Sequence, residues 1–155
     1  MENKKKTTVF QLAVESTPDI KIGFRDGLQA LGTNAQRITA QNTRKLEGSV
    51  DIDACTQSLY PNEARWDYAV GYDKKAYFFE VHPADTSNVK EMIKKAEWLN
   101  KWLTQKAPAL NSLAANKVLY WIASGRQKIL PNSPQHRKLS QSKIQLILKS
   151  ATYRV

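Results

Sequence analysis

Two short runs in the middle of the chain carry its clearest hydrophobic and polar pattern. Arg65-Trp66-Asp67-Tyr68-Ala69-Val70-Gly71-Tyr72 and Ala76-Tyr77-Phe78-Phe79-Glu80-Val81-His82 are rich in aromatic and β-branched residues, and the polar Asp73-Lys74-Lys75 separates them. That composition with that break predicts a β-hairpin. If the turn centres on Asp73 and Lys74, Tyr72 faces Lys75 and Asp67 falls opposite Glu80. Asp67, Ala69 and Gly71 then share a face with Phe78, Glu80 and His82, because side chains alternate along a strand. A three-residue turn would pair Tyr72 with Ala76 and send the two acids to opposite faces, and Gly71 is a site for a bulge.

The first register brings two carboxylates together, with side chains that start only about 5 Å apart. Opposed like charges destabilise a sheet, so a bound divalent cation or a shifted proton has to offset them. Glu80 is also embedded in an apolar run, where an unpaired carboxylate is costly.

The rest of the pattern outlines an α/β chain. Thr17-Pro18-Asp19 has the look of a helix start, and Ile20, Phe24, Leu28 and Leu31 follow at helical spacing up to a stop at Gly32. Residues 9–14 fit either a strand or a helical turn, and 36–41 a short strand. Over 49–54, Val50, Ile52 and Ala54 alternate with Asp51 and Asp53, which predicts a strand whose acidic face either solvates itself or joins the carboxylate pair. Pro83 ends the second hairpin strand, and a helix is predicted over roughly 87–105, with an apolar stripe of Val89, Met92, Ile93, Ala96, Leu99, Trp102 and Leu103. Lys90, Lys94, Glu97 and Lys101 line another of its faces. Residues 117–123 have the continuous apolar character of a central strand ended by Ser124-Gly125, and a strand reached through a long helix implies a crossover and a helix-covered sheet. A loop from Gly125 to Pro134, a short helix to about Ser142 and an edge strand over 144–148 complete the outline.

Composition narrows the functional classes. A chain of 155 residues reads as one domain able to bury a core without staples, with residues 1–7 as a flexible basic tail. No apolar run approaches the roughly 20 residues of a membrane span, and the basic N-terminus does not read as a secretory signal. Cys55, the only cysteine, allows no internal disulfide and fits a cytoplasmic protein. The net charge of +10 favours a polyanionic partner such as nucleic acid. No glycine-rich phosphate loop, HExxH zinc motif or GxSxG elbow occurs.

The order helix, three strands with acids on the second and third, helix, strand resembles the core of the PD-(D/E)XK nuclease superfamily, the restriction-endonuclease-like fold, over roughly residues 18–123. The resemblance implies a central mixed β-sheet flanked by helices in α-β-β-β-α-β order. It also implies a nuclease that cleaves phosphodiester bonds of DNA, or of RNA, with Mg²⁺ or Mn²⁺. Asp67 matches the first motif acid and Glu80 the second, Trp66 replaces the motif proline, and His82 replaces the motif lysine. By the same resemblance Asp67, Glu80 and the Val81 carbonyl hold the metal.

Two carboxylates supply hard oxygen ligands, and the metal needs more than two, which makes Asp53 and Asp51 candidates for a third, with Glu47 and Glu63 as weaker ones. His82 either positions or activates water or is a structural residue at a strand end. Lys90 and Lys94 either supply the missing ammonium and touch phosphates, or form a solvated helix face. Arg126, Lys128, Arg137 and Lys138 are further candidates for phosphate contact. Trp98 and Trp102, beside the helix stripe, read as core or groove edge rather than base-stacking platforms. The loss of the motif lysine keeps open a catalytically inactive nucleic-acid-binding module, or an interaction protein in which the facing acids serve a salt-bridge network with a protein partner.

Overall fold

The computed structural model describes residues 6–148 and 153–155, without the side chains of Arg126 and Tyr153. The chain enters through α1 (Val9–Glu15), whose first turn is capped by the Thr8 hydroxyl. A 3-10 segment (Gln29–Arg37), β1 (Ile38–Thr39), β2 (Leu46–Asp51) and α2 (Ile52–Thr56) lead to the hairpin of β3 (Tyr68–Tyr72) and β4 (Lys75–Ala84). Then come α3 (Val89–Lys106), α4 (Pro108–Asn111), β5 (Ala114–Gln127), α5 (Pro134–Gln141), β6 (Ile144–Ile147) and β7 (Tyr153–Arg154). Five of the strands form one mixed sheet in the order β2-β3-β4-β5-β6. The first three are antiparallel neighbours, whereas β4, β5 and β6 run parallel. A separate parallel pair joins β1 to β7.

Each face of the sheet has its own core. Ala69, Ala76, Phe78, Leu119 and Trp121 pack with Phe10 of α1 and with Met92, Ala96 and Leu99 of α3. Val70, Tyr72, Phe79, Tyr120 and Ile122 on the opposite face pack with Leu31, Ile38 and Val155. Helix α1 lies so close that a Cβ on Gly71 would stand 2.2 Å from Phe10 Cγ, which accounts for glycine there rather than a bulge.

The hairpin has the two-residue register. Tyr72 pairs with Lys75 and Ala69 with Phe78, and the turn residues Asp73 and Lys74 take φ of 49° and 65°, as a type I′ turn requires. Helix α3 starts at Val89, the first residue of its apolar stripe and two residues after the expected start, following a 3-10 turn at Thr86–Asn88. The expected crossover to a parallel β5 is present, as are the short helix after Pro134 and the strand that follows it.

Four expectations need correction. The helix expected over 17–31 is a series of turns, an isolated bridge from Arg25 to Ser49 and the 3-10 segment, while the first helix is α1. Thr17 ends α1, its hydroxyl bonding the Ala13 carbonyl at 2.8 Å, instead of starting a new helix. Gly23 and Gly27 explain why the periodic apolar residues beyond it do not wind up. A Cβ at 23 would meet Cys55 Sγ at 2.3 Å, and Gly27 has φ of +52°.

The strand expected over 49–54 stops at Asp51, whose carboxylate accepts the Ala54 N–H at 2.8 Å and caps α2. Pro83 does not end β4, because the pairing with β5 shifts register between His82 and Ala84 and needs no regular donor there. Ser124-Gly125 does not end β5, which continues to Gln127 opposite Ala84. Of the basic tail expected over 1–7, residues 1–5 lie outside the described residues. Among the described residues no helix is long and apolar enough to cross a membrane.

Candidate active site

Asp67 and Glu80 meet where the hairpin register puts them. The Asp67 N–H donates to Glu80 Oε2 at 2.9 Å, and the Val81 N–H donates to Asp67 Oδ2 at 3.1 Å. Each carboxyl group is thus fixed by a backbone amide of the opposite strand. The Asp67 carbonyl in turn accepts the Ile52 N–H at 2.8 Å, which ties the start of α2 to the same point.

The counter-charge comes from above the sheet. Lys95 of α3 donates its ammonium to Glu80 Oε1, with the Lys95 side chain 15% and the Glu80 side chain 1% exposed. Lys90 and Lys94, the lysines expected to supply an ammonium, are exposed on the outer side of the helix. The helical period explains the difference. Position 95 lies three residues after buried Met92 and four before buried Leu99, on the inward stripe, whereas 90 and 94 do not. That spacing is legible in the sequence and is the signal that identifies Lys95.

Burial is the main influence on the cluster's protonation. It pushes the Glu80 carboxyl up to about 8, and the Asp67 charge adds to it against the pull of Lys95 and the Asp67 amide. Asp67 is also raised by burial, less so because the Val81 amide and Lys95 favour its charged form. For Lys95, burial opposes the charge, but Glu80, Asp67 and Glu91 outweigh it and hold the ammonium firmly protonated. At neutral pH the arrangement is one ammonium, one carboxylate on Asp67 and one proton on Glu80, so the buried triad is close to neutral.

The remaining expected site residues go elsewhere. Asp53 is engaged by Arg65, whose Nε donates to Asp53 Oδ1 at 2.7 Å while the same guanidinium bonds the Tyr60 carbonyl at 2.7 Å. Asp51 caps α2, and burial raises its carboxyl. The His82 ring is turned to its own chain, with Nδ1 3.0 Å from the Pro83 carbonyl, and it touches neither carboxylate. Val81, whose carbonyl was the expected metal ligand, bonds the cluster through its amide N–H.

Glu47 ties α1 to the hairpin turn by accepting the N–H groups of Phe10 and Lys74. Glu63 accepts the Trp98 indole N–H, while Trp102 Nε1 and the Tyr60 hydroxyl both donate to Asp19 Oδ2, at 3.0 and 2.8 Å. Trp98 stacks on Trp102 with centroids 5.7 Å apart, so the indoles form a packed wall. Trp66, which the resemblance sets in the place of the motif proline, is fully buried, and its Nε1 has no partner among the described residues. Lys128 pairs with Asp85 at 3.6 Å, Arg137 and Lys138 are exposed on α5, and the Arg126 side chain lies outside the described residues.

Among the described residues, no three of His, Cys, Asp and Glu converge as a metal-holding group. Asp67 and Glu80 are nevertheless hard oxygen donors suited to Mg²⁺ or Mn²⁺, and Asp67 is only partly buried. A cation reaching Glu80 has to share its oxygens with, or displace, Lys95 and the Asp67 amide. No protein-family model, curated protein or solved structure matches the chain.

Proposed function

We propose that the protein is a metal-dependent nuclease of the restriction-endonuclease-like class, acting on phosphodiester bonds of DNA or RNA. The observation that carries this reading is the Asp67–Glu80–Lys95 cluster. The motif lysine absent from β4 is replaced in space by an ammonium from the next helix. The succession α1, β2, β3, β4, α3, β5, with β1 and α2 as insertions, supports it by having the acids at the second and third of those strands.

In this reading Asp67 and Glu80 hold Mg²⁺ or Mn²⁺, which when bound supplies a water of lowered pKa and neutralises phosphate charge. Lys95 orients the attacking water or meets the negative charge that develops on the phosphate oxygens. Glu80 yields its proton as the cation arrives. His82 is peripheral. Lys90 and Lys94 on the outer side of α3, with Arg137 and Lys138 on α5, contact substrate phosphates.

The test is cleavage of single- and double-stranded DNA and RNA with Mg²⁺, Mn²⁺ or chelator, for the wild type beside Asp67→Asn, Glu80→Gln and Lys95→Met. The expected result is metal-dependent cutting that falls at least roughly a hundredfold in each variant. Wild-type cutting no faster than that of the variants removes the nuclease reading. One observation favours a second reading, a nucleic-acid-binding module without turnover: both Glu80 oxygens already accept hydrogen bonds inside the protein. Salt-sensitive binding without cutting is its signature.

A further inference from the structure

An open cavity of about 690 Å³ lies between the C-terminal half of α3, the end of α5 and the start of β5. That is within the range of small-molecule sites, roughly 300–1,000 Å³. None of Asp67, Glu80 and Lys95 lines it. No carboxylate lines it. Its charged groups are Lys117 and Lys143, its neutral polar groups include Asn100, Asn111 and Ser112, and the buried core residues Phe78, Leu103 and Leu119 close its floor.

The two lysines occupy backbone positions that favour glycine. Lys143 follows the C-cap of α5 with φ of 58°, where glycine is the ordinary residue. Lys117 has φ of 54° and follows Asn116 at 53°, where β5 shifts register between Ala114 and Leu119. Strained non-glycine residues cluster at functional sites, and here two lysines bear that strain on one acid-free cavity. Neither forms an ion pair among the described residues.

We propose that this cavity binds a small phosphorylated ligand of the mononucleotide class. The phosphate lies between the Lys117 and Lys143 ammonium groups, and a planar ring enters the cavity toward the floor closed by Phe78, Leu103 and Leu119. The Asn100 and Asn111 amides, each both donor and acceptor, meet the ring edge. The site is independent of the nuclease reading. A purely structural role for Lys143, facing the carbonyl end of α5, leads to opposite results.

The test is calorimetric titration of the full chain with AMP, CMP, GMP, UMP and inorganic phosphate. It is repeated on Lys117→Gly/Lys143→Gly and, as a control for the carboxylate cluster, on Glu80→Gln. Glycine removes the ammonium groups and relieves the backbone at the same time. At least one mononucleotide is expected to bind more tightly than phosphate, at least roughly tenfold more weakly to the double glycine variant, and unchanged to Glu80→Gln. The melting midpoint of the double glycine variant is expected to hold or rise. No mononucleotide binding below about 1 mM overturns the proposal, as does phosphate binding as tightly as every nucleotide. Affinity unchanged in the double glycine variant, or lost in Glu80→Gln, also overturns it.

Discussion

Replacing Glu80 by glutamine tests the buried proton directly. Glutamine has nearly the shape of the protonated acid and cannot ionise, so the variant keeps the acceptor for Lys95, gives up the one for the Asp67 N–H at a cost that does not vary with pH, and removes one linked proton. In the unfolded chain Glu80 titrates near the ordinary glutamate value of 4.5, and in the folded protein burial and Asp67 push it to about 8. Between those values the native state binds more protons than the unfolded one, so this group's contribution to stability falls as pH rises from about 4.5 through about 8. Full linkage over that window is on the order of 5 kcal/mol, and relaxation around a side chain 1% exposed brings the expected effect to roughly 3 kcal/mol. The Asp67 rise acts in the same direction at lower pH, while the Lys95 rise acts only in the alkaline range. Urea unfolding of wild type and Glu80→Gln at pH 5, 7 and 9 reads the difference, because titrating groups remote from Asp67 and Lys95 cancel. The gap should move in favour of glutamine by roughly 3 kcal/mol between pH 5 and pH 9, from a pH-independent offset set by the lost Asp67 N–H bond, with equal m-values. Parallel stability curves across that range would falsify the buried proton.

The other expectations concern the cluster and the frame that builds it. Lys95→Met leaves a net negative charge under α3, and urea titration at pH 7 should show a loss of about 3–5 kcal/mol; a loss below about 1 kcal/mol means that the pair contributes little. Gly71→Ala drives a methyl into the ring of fully buried Phe10 and should cost about 3 kcal/mol, seen as a lower melting midpoint; an unchanged midpoint means that α1 does not press on β3 as described. Asp73→Asn with Lys74→Gly suits the two left-handed turn residues and keeps the Lys74-position N–H for Glu47, so it should add about 1 kcal/mol. A destabilised double variant would show that the exposed Lys45–Asp73 pair, 3.9 Å apart, matters more than the backbone.

How much could be read in the chain depended on whether local pattern or distant packing decided each segment. The β3–β4 hairpin, the helix over α3, the parallel β5 and the α5–β6 unit all carry strong periodicity of their own, and each is present. The segment 17–31 carries an equally regular spacing at Ile20, Phe24 and Leu28. Its path is decided instead by the close approach of Cys55 to Gly23 and by the Arg25 bridge to Ser49, contacts that no local pattern contains. At Asp51 the alternation was genuine through Val50, but a carboxylate before a free N–H is equally a cap, and the cap prevailed. Lys95 is a different case, since its place on the stripe between Met92 and Leu99 was there to be read. A lysine so placed has to find an anion or pay for burial, and among the described residues the buried carboxylate on the facing strands is Glu80.

The opposed acids required a cation or a proton, and the fold supplies both from its own residues. Lys95 gives a positive charge to Glu80, and the proton on Glu80 removes one negative charge beside Asp67. The carboxylate pair is therefore electrostatically complete in the protein alone, and its mere existence no longer demands a metal. What distinguishes a nuclease from a binding module on this fold is the exchange: a divalent cation has to replace the proton and share Glu80 with the ammonium. Asp67 makes that exchange feasible, because it is partly exposed and already carries the charge to which a cation is first drawn, while Glu80 lies one hydrogen bond behind it. Under the nuclease proposal entry runs from Asp67 to Glu80, so Asp67→Asn should abolish binding of Mn²⁺ altogether, whereas Glu80→Gln should weaken it and leave a residual site. Electron paramagnetic resonance titration of Mn²⁺ against the two variants reads that order, and equal loss in both would mean that the two carboxylates engage a cation only as a pair.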